Sequence, residues 1–348
     1  MWFCFILEEQ DTHTSLPMAV VDQLRKWDHS VDLLEPHTSI TSMRDLTEPR
    51  YDAYILKTVS NGPGLSLLEA AEAIGIPTIN SPHAIRQVRD KAVAIALSYA
   101  HDIPIPPTYF VAHLRLLEQI PSMYYPLVVK PTNGSCGRGI YRVESPAEAA
   151  TLQLAEAHNS FFLAQRYMEN SGFDIKLYVI GKEVFSVARR SPLHPEVEVK
   201  QQLIPTPVTL HELALRIGNI FGLDLYGLDV IETPHGPMVI DINDFPSFGL
   251  IPEAVQRIAS SILSISRRAE HLHMPILTPR QGHLQLTLKN TEAVNVLSSP
   301  GRLFHLNGSD LSMKYGGHSH DSLSVSPSER ISHPYPDGYS HDRSSGDG

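Results

Sequence analysis

Cysteine is almost absent: Cys4 and Cys136 are the only two among 348 residues. Two thiols exclude a disulfide framework and a Cys-based zinc site. Excess positive charge is also missing. Lys and Arg number 28 against 38 Asp and Glu, for a net charge of -10. That balance disfavours non-specific binding to nucleic acid or to an anionic membrane. No apolar run is long enough to span a bilayer. Met1 to Leu7 runs straight into Glu8 and Glu9 without a basic segment, so no signal peptide is expected. A reducing cytoplasm is the expected compartment.

What is present is apolar residue in quantity, 42% of the chain. At this length that supports a large core and two or three domains. The most telling stretch runs from Phe221 to Pro246. Two β-rich runs flank a turn marked by Pro234, Gly236 and Pro237, which predicts a hairpin. Period-2 alternation places Asp241 and Asn243 on one face of the second strand. Asp229, on the first strand, is placed to face them. Three oxygen donors at one place suit Mg²⁺ or Mn²⁺. A carboxylate in an apolar strand is costly unless paired or metal-bound. The plainer alternative, Asp241 capping a turn and Asn243 bonding backbone, stays open on these residues alone.

The first part of the chain alternates strand and helix. Strands are predicted at Trp2 to Leu7, Val31 to Leu34, Tyr51 to Val59 and Ile76 to Asn80, with helices at Leu16 to Trp27 and Leu65 to Ala73. This pattern implies a small open sheet of mostly parallel strands. The loop Ser60 to Gly64 sits at a carboxyl end of such a sheet, where ligands often bind, or it is a plain connector. Ser81-Pro82 opens a longer helix, from His83 to about Ala100, with Ser81 as its N-cap. Arg86, Arg89 and Lys91 make part of it basic, either for an anion or as a solvated face.

Tyr125 to Pro131 reads as a buried strand ending in Lys130. Thr132 to Gly139 follows, rich in glycine, and then a strand from Ile140 to Val143. A hairpin tip with many free N–H groups can fold over phosphate oxygens. It is neither a P-loop nor a dinucleotide fingerprint, since no Gly-Lys-Ser/Thr is present and no helix follows. Phe161 to Glu169 reads as a strand entering an irregular connector. Asp174 to Ile180 and the residues after Gly181-Lys182 form a second predicted hairpin. Arg189 and Arg190, at its far end, suit a carboxylate or a phosphate, or form an exposed basic strand end. Pro252 to Arg268 is a predicted amphipathic helix. Leu284 to Leu288 is strand-like. From about Leu297 the composition predicts a disordered tail, and its histidines, His318, His320, His333 and His341, either bind metal loosely or, as the preferred reading, are solvated.

The order of these parts resembles the ATP-grasp superfamily. The resemblance covers roughly residues 86 to 265. It rests on Arg89-Asp90-Lys91, Val128-Val129-Lys130-Pro131, Gly134-Ser-Cys-Gly-Arg-Gly139, Gln165-Arg-Tyr-Met168, Asp174-Ile-Lys176, Gly227-Leu-Asp229-Val and Ile240-Asp241-Ile-Asn243. The subgroup looks like the RimK-type ligases, which join a carboxylate to an amine. Asp241-Ile-Asn243-Asp-Phe-Pro246 and Lys176-Leu-Tyr-Val-Ile-Gly181 also resemble inositol polyphosphate kinases of the same superfamily. The resemblance implies a mixed α/β (α+β) chain: an open α/β pre-ATP-grasp domain over 1–84, an ATP-grasp domain of two subdomains over 85–275, and a tail from 276. It implies that ATP lies between the subdomains. Lys91 and Lys130 would meet its phosphates, and the loop with Ser135, Gly137, Arg138 and Gly139 would close over them. Gln165, Arg166, Tyr167 and Met168 would hold adenine, chiefly by backbone groups. Asp174 or Glu169 would bond the ribose, and Lys176 shares a strand face with Asp174. Asp229, Asp241 and Asn243 would hold two Mg²⁺ ions, or Mn²⁺. Arg189 or Arg190 would stabilise the reacting phosphoryl group. Ligases of this type carry an acidic residue where this chain has Arg166, a change that backbone contacts survive.

Three functions follow as expectations. The first is a carboxylate–amine ligase acting on small molecules such as amino acids, through an acyl phosphate. The second is a kinase of inositol phosphates or a similar polyol. The third is a nucleotide-binding protein without catalysis, which the intact lysine and metal-ligand set opposes. No nucleic-acid or membrane partner is expected, and a homo-oligomer is compatible with the sequence.

Overall fold

In a computed structural model, residues 1–8, 16–46, 51–57, 62–132, 139–152 and 161–272 are described. Ser60 and Asn61 of the first loop, Ser135 to Arg138, the strand-like Leu284 to Leu288 and the histidine-bearing tail lie outside them.

The first sheet is parallel with strand order β2-β1-β3-β4: β1 is Trp2–Leu7, β2 Ser30–Leu34, β3 Ala53–Lys57 and β4 Thr78–Ile79. Its central strands are apolar without alternation because helices cover both faces. Phe3 and Phe5 of β1 pack with Val20, Val21 and Leu24 of α1 (Leu16–Lys26). Cys4 and Ile6 face the other way, onto Leu68 and Ala71 of α3 (Gly64–Ala73). A short α2 (Met43–Leu46) joins β2 to β3. The connector after α3 turns at Gly75, φ 86°, a backbone angle glycine adopts without strain.

The long helix expected from His83 to Ala100 is instead two: α4, Pro82–Arg89, and α5, Lys91–Ala100. Asp90 separates them with extended backbone, φ -78° and ψ 98°. Its carboxylate accepts from the N–H groups of Ala92 at 3.0 Å and Val93 at 3.2 Å. A side-chain cap of this kind offsets the broken backbone ladder by about 1 kcal/mol. Ser81 precedes α4 as expected, with Pro82 in its first turn, but its hydroxyl makes no cap bond. The expected boundary between residues 84 and 85 falls inside α4.

The second sheet is antiparallel, ordered β5-β8-β6-β7: β5 is Thr108–Val111, β6 Leu127–Pro131, β7 Tyr141–Val143 and β8 Phe162–Arg166. One face packs Leu127, Val129, Val143, Phe162 and Ala164 against Leu117 and Ala149, the latter from α6 (Pro146–Thr151). The third sheet, also antiparallel, runs β11-β10-β9-β12-β13: β9 is Phe173–Ile180, β10 Glu183–Arg190, β11 Gln202–Ile204, β12 Leu225–Thr233 and β13 Gly236–Asp244. Both expected hairpins are present, closed at Gly181-Lys182 and at Pro234-His235. α7 (Val208–Phe221) covers one face through Leu210, Ala214 and Ile217. α8 (Ala254–Leu272) puts Ile258 and Ile262 on the other face, into the core that also holds Phe3 and Phe5.

Candidate active site

The site is built where the inner faces of the second and third sheets meet. Across β12 and β13, Asp229 stands opposite Asp241 and Gly227 opposite Asn243, with a bulge after Asp229. Directly opposed residues of an antiparallel pair share a face, so Asp229, Asp241 and Asn243 lie together as expected. Glycine at 227 suits a close approach. A Cβ there would come within 3.2 Å of Lys176 Cε and 3.3 Å of the Leu177 carbonyl.

Each acid has a cation brought by a different element. Lys176, opposite Asp229 on β9, places Nζ 2.8 Å from Asp229 Oδ1. The pair lacks hydrogen-bond alignment, and that buried oxygen has no other partner. Arg189, opposite Asp174 across β9 and β10, reaches Asp229 Oδ2 at 3.1 Å and Asp174 Oδ2 at 3.5 Å. Lys91, first residue of α5, donates to Asp241 at 2.5 Å. Arg89, at the end of α4, holds Asp244 with Nε and Nη2, each at 3.2 Å. The break at Asp90 thus aims two successive cations at β13. Arg86, the third of the basic residues, pairs elsewhere, with Glu69. Lys130, near the end of β6, donates to the Ile240 carbonyl at 2.8 Å and so ties the second sheet to the third.

Electrostatics here are a balance of burial and charge. Burial brings the Lys130 ammonium down to about 8; Asp241 opposes this and Lys91 adds to it. Burial pushes the Asp241 carboxyl up, yet the charges of Lys91, Lys130 and Lys176 outweigh it and hold Asp241 below its ordinary value. The Asp174 carboxyl is raised by burial, with Ser191 and Arg189 pulling it back. The Arg189 guanidinium, resisted by burial, is raised by Asp229 and Asp174.

Beside these charges lies a cleft between the second and third sheets. Val128, Ile140, Ile231 and Ile240 supply apolar walls, and Lys130, Gln165 and Asp174 the polar ones. Arg166, Tyr167 and Met168 line its edge. Gln165 is buried and donates to the Thr108 hydroxyl at 2.9 Å. The N–H groups of Arg166 and Tyr167 are committed to the carbonyls of Pro107, at 2.7 Å, and Pro126, at 2.8 Å. Gly139 turns at φ 72° with its Cα side against Pro131.

Glu169 and Arg190 stand apart from both the charged cluster and the cleft lining. Glu169 is exposed, and the Arg190 guanidinium donates to the Pro195 carbonyl. Ser135, Gly137 and Arg138 lie outside the described residues. Two contributors were not anticipated. Asp244 anchors Arg89, and Asp90 starts the helix that carries Lys91. The signal for the second was in Arg89-Asp90-Lys91, where an Asp inside a helical pattern is a cap candidate.

The donor set suits a hard divalent cation. Asp229 and Asp241 are carboxylates on one face, Asn243 adds an amide oxygen, and one Asp229 oxygen is buried without a hydrogen bond.

The RimK-like ATP-grasp domain family matches residues 88–264. A Haemophilus influenzae (strain PittEE) protein named "Probable alpha-L-glutamate ligase" is 28% identical over 214 residues, covering 58% of this chain and 72% of that one. Among solved structures, the RimK domain ATP-grasp protein from Sphaerobacter thermophilus DSM 20745 superposes with a TM-score of 0.60 at 17% identity, covering 76% of this chain and 99% of that one. The ATP-grasp ligase PsnB, complexed with minimal precursor, Mg and ADP, gives 0.60 at 14% identity, covering 76% and 97%. The two structures show the fold, the family match spans about half of the chain, and the protein therefore belongs to the RimK-like family of ATP-grasp ligases.

Proposed function

We propose that this ligase joins a carboxylate to an amine through an acyl phosphate made from ATP. The carrying observation is the cluster of Lys91, Lys130, Lys176 and Arg189 interleaved with Asp229, Asp241 and Asn243 beside the cleft. Adenine enters against Gln165 to Met168. With Arg166 and Tyr167 N–H committed inside the protein, Met168 is the hinge residue left to offer one. Asp174 faces the ribose, and Lys91 and Lys130 face the phosphates. Asp229, Asp241 and Asn243 would hold Mg²⁺, which when bound neutralises phosphate charge and orients the transferring group.

A substrate carboxylate oxygen attacks the γ-phosphorus of ATP and ADP leaves. The amine nitrogen then attacks the acyl carbon, loses a proton and expels phosphate. The chain's own contribution is alignment and fixed positive charge at the transferring oxygens. Lys130 and Arg189 are the groups placed to supply that charge. A polyol polyphosphate would call for surplus cations, whereas Lys91, Lys176 and Arg189 are each matched to a carboxylate. That matching favours the ligase over the kinase. The relative's name makes L-glutamate the first amine to test. No helix among the described residues is long and apolar enough to cross a membrane, and the cytoplasm is the proposed compartment.

The test is an ADP-release screen with L-glutamate, other amino acids, small acids and inositol phosphates, with mass spectrometry of the product. An amide-linked product is expected. A stable phosphorylated polyol, with no amide from any pair, would overturn the reading.

A further inference from the structure

A second polar constellation lies on the rim of the cleft, away from the reacting groups. Ser191, Pro192 and Leu193, just after β10, form one wall of the cleft. The segment from Ser191 to Val197 has no strand or helix to hold it. Its next residue, His194, turns inward and is only 14% exposed. His194 Nε2 lies 3.1 Å from the Tyr167 hydroxyl, with the two rings 6.1 Å apart. His194 Nδ1 lies 3.2 Å from a Glu196 carboxylate oxygen. With Glu196 accepting from Nδ1–H, Nε2 is left to accept from the tyrosine hydroxyl. Tyr167 is itself fixed on its ring by the Arg142 guanidinium of β7, 4.1 Å from the centroid. The chain leaving the hinge passes under the same segment at Gly172, φ 81°, where a Cβ would come within 3.1 Å of Val197 Cγ2 and 3.9 Å of His194 Cγ. Three separate stretches, β7, the hinge and the 191–197 segment, therefore converge on the Tyr167–His194 contact.

We propose that His194 is a positioning residue that latches the Ser191–Leu193 wall of the cleft to the hinge at Tyr167, and thereby sets nucleotide affinity without acting on the transferred group. This rests on reading the cleft as the nucleotide site. Glu196 is 68% exposed and serves to orient the ring; the bond to Tyr167 carries the latch. Losing it frees a wall that the nucleotide would otherwise find already in place, so binding carries the ordering cost.

The test is calorimetric binding of AMPPNP with Mg²⁺ to the full chain, alongside ADP-release kinetics. His194→Ala should weaken AMPPNP binding and raise KM for ATP by roughly tenfold, the worth of one oriented hydrogen bond, with kcat at saturating ATP within about twofold of wild type. His194→Gln, whose side-chain amide can still accept from Tyr167, should recover most of the affinity. Tyr167→Phe should reproduce the His194→Ala loss, and the double variant should add little to either, as partners in one contact do. Should His194→Ala fail to fold, Tyr167→Phe reads the same contact. Wild-type affinity in a folded His194→Ala or Tyr167→Phe protein would overturn the latch, as would a fall in kcat at unchanged KM. Absence of AMPPNP binding by the wild type would overturn the nucleotide reading, and the latch with it.

Discussion

At the scale of single residues, the side chains that matter are charged groups taken out of water and matched to one another. Their residue types were legible in the sequence; their matching was not. Asp229 and Asp241 stood out because a carboxylate in an apolar strand needs a reason. That Lys91 would meet Asp241, and Lys176 and Arg189 would meet Asp229, depends on strands and helices far apart in the chain. Lys130 shows the consequence most directly. Its ammonium is brought down to about 8 by burial, from an ordinary 10.5. Between those two values the unfolded chain holds a proton that the folded protein has released. Stability contributed by this group therefore rises with pH across that window, and below pH 8 its burial is a standing cost. Phosphate binding has the opposite sign, because it needs the proton. AMPPNP affinity should be flat near neutrality and fall towards tenfold per pH unit above about 8, whereas Lys130→Arg, which stays charged, should remain flat across the same calorimetric titration. Equal pH profiles for the two proteins would assign the proton to another group. Asp241→Asn, which removes charge but keeps shape, should nearly abolish ADP formation through kcat, with the folded circular-dichroism spectrum retained.

At the scale of elements, most strands and helices were legible because their periods are short-range. β1 and β3 show as apolar runs, and the hairpin at Gly181-Lys182 shows in its turn residues. The break in the helix after Arg89 was not legible, because helical apolar spacing continues through it in the sequence, at Ile85, Val88, Ala92 and Ile95, although α5 buries Ala94 and Ser98. What decides is Asp90, whose carboxylate satisfies two amides of the new helix. The break also aims both cations at β13, since a continuous helix would turn Arg89 and Lys91 to different sides, 100° apart per residue, and only one of them towards β13. Asp90→Ala should lower stability by about 1 kcal/mol, read as a lower urea midpoint at unchanged slope, and Asp90→Ser should restore most of it. Because Lys91 rides on that first turn, Asp90→Ala should also raise KM for ATP. A loss of stability with unaltered KM would separate the cap from the aim of Lys91.

At the scale of the whole molecule, the sequence showed the order of the parts but not how they are joined. The first sheet meets the third through Asn80, a residue the strand pattern assigned to β4. It lies just past that strand, fully buried. Its side-chain oxygen accepts from the N–H groups of Asp224 and Leu225, each at 2.9 Å, and its amide donates to the Leu225 carbonyl at 2.7 Å. Leu225 opens β12, the strand that carries Asp229. One asparagine thus fixes where the strand that carries Asp229 begins, and no local pattern reveals it because the contact spans the chain. Around it, Phe3, Phe5 and Ile55 of the first sheet share one apolar core with Tyr178, Ile180, Leu225 and Phe248. Asn80→Ala removes the partner of the buried Leu225 N–H and of the part-buried Asp224 N–H, while the Leu225 carbonyl keeps the Phe245 N–H at 2.9 Å, and should destabilise by about 2 kcal/mol, at 1–3 kcal/mol for each buried group left without a partner. The shared core predicts how that loss is distributed. The sheets should still unfold together, since apolar contact between them survives the substitution. Both tryptophans, Trp2 and Trp27, belong to the first sheet's segment, so intrinsic fluorescence reports that sheet while far-UV circular dichroism reports every element. In guanidinium the two transitions should coincide for wild type and shift together for Asn80→Ala. A fluorescence transition that precedes the dichroism transition in the variant would show Asn80, and not the core, to be what makes the sheets one cooperative unit.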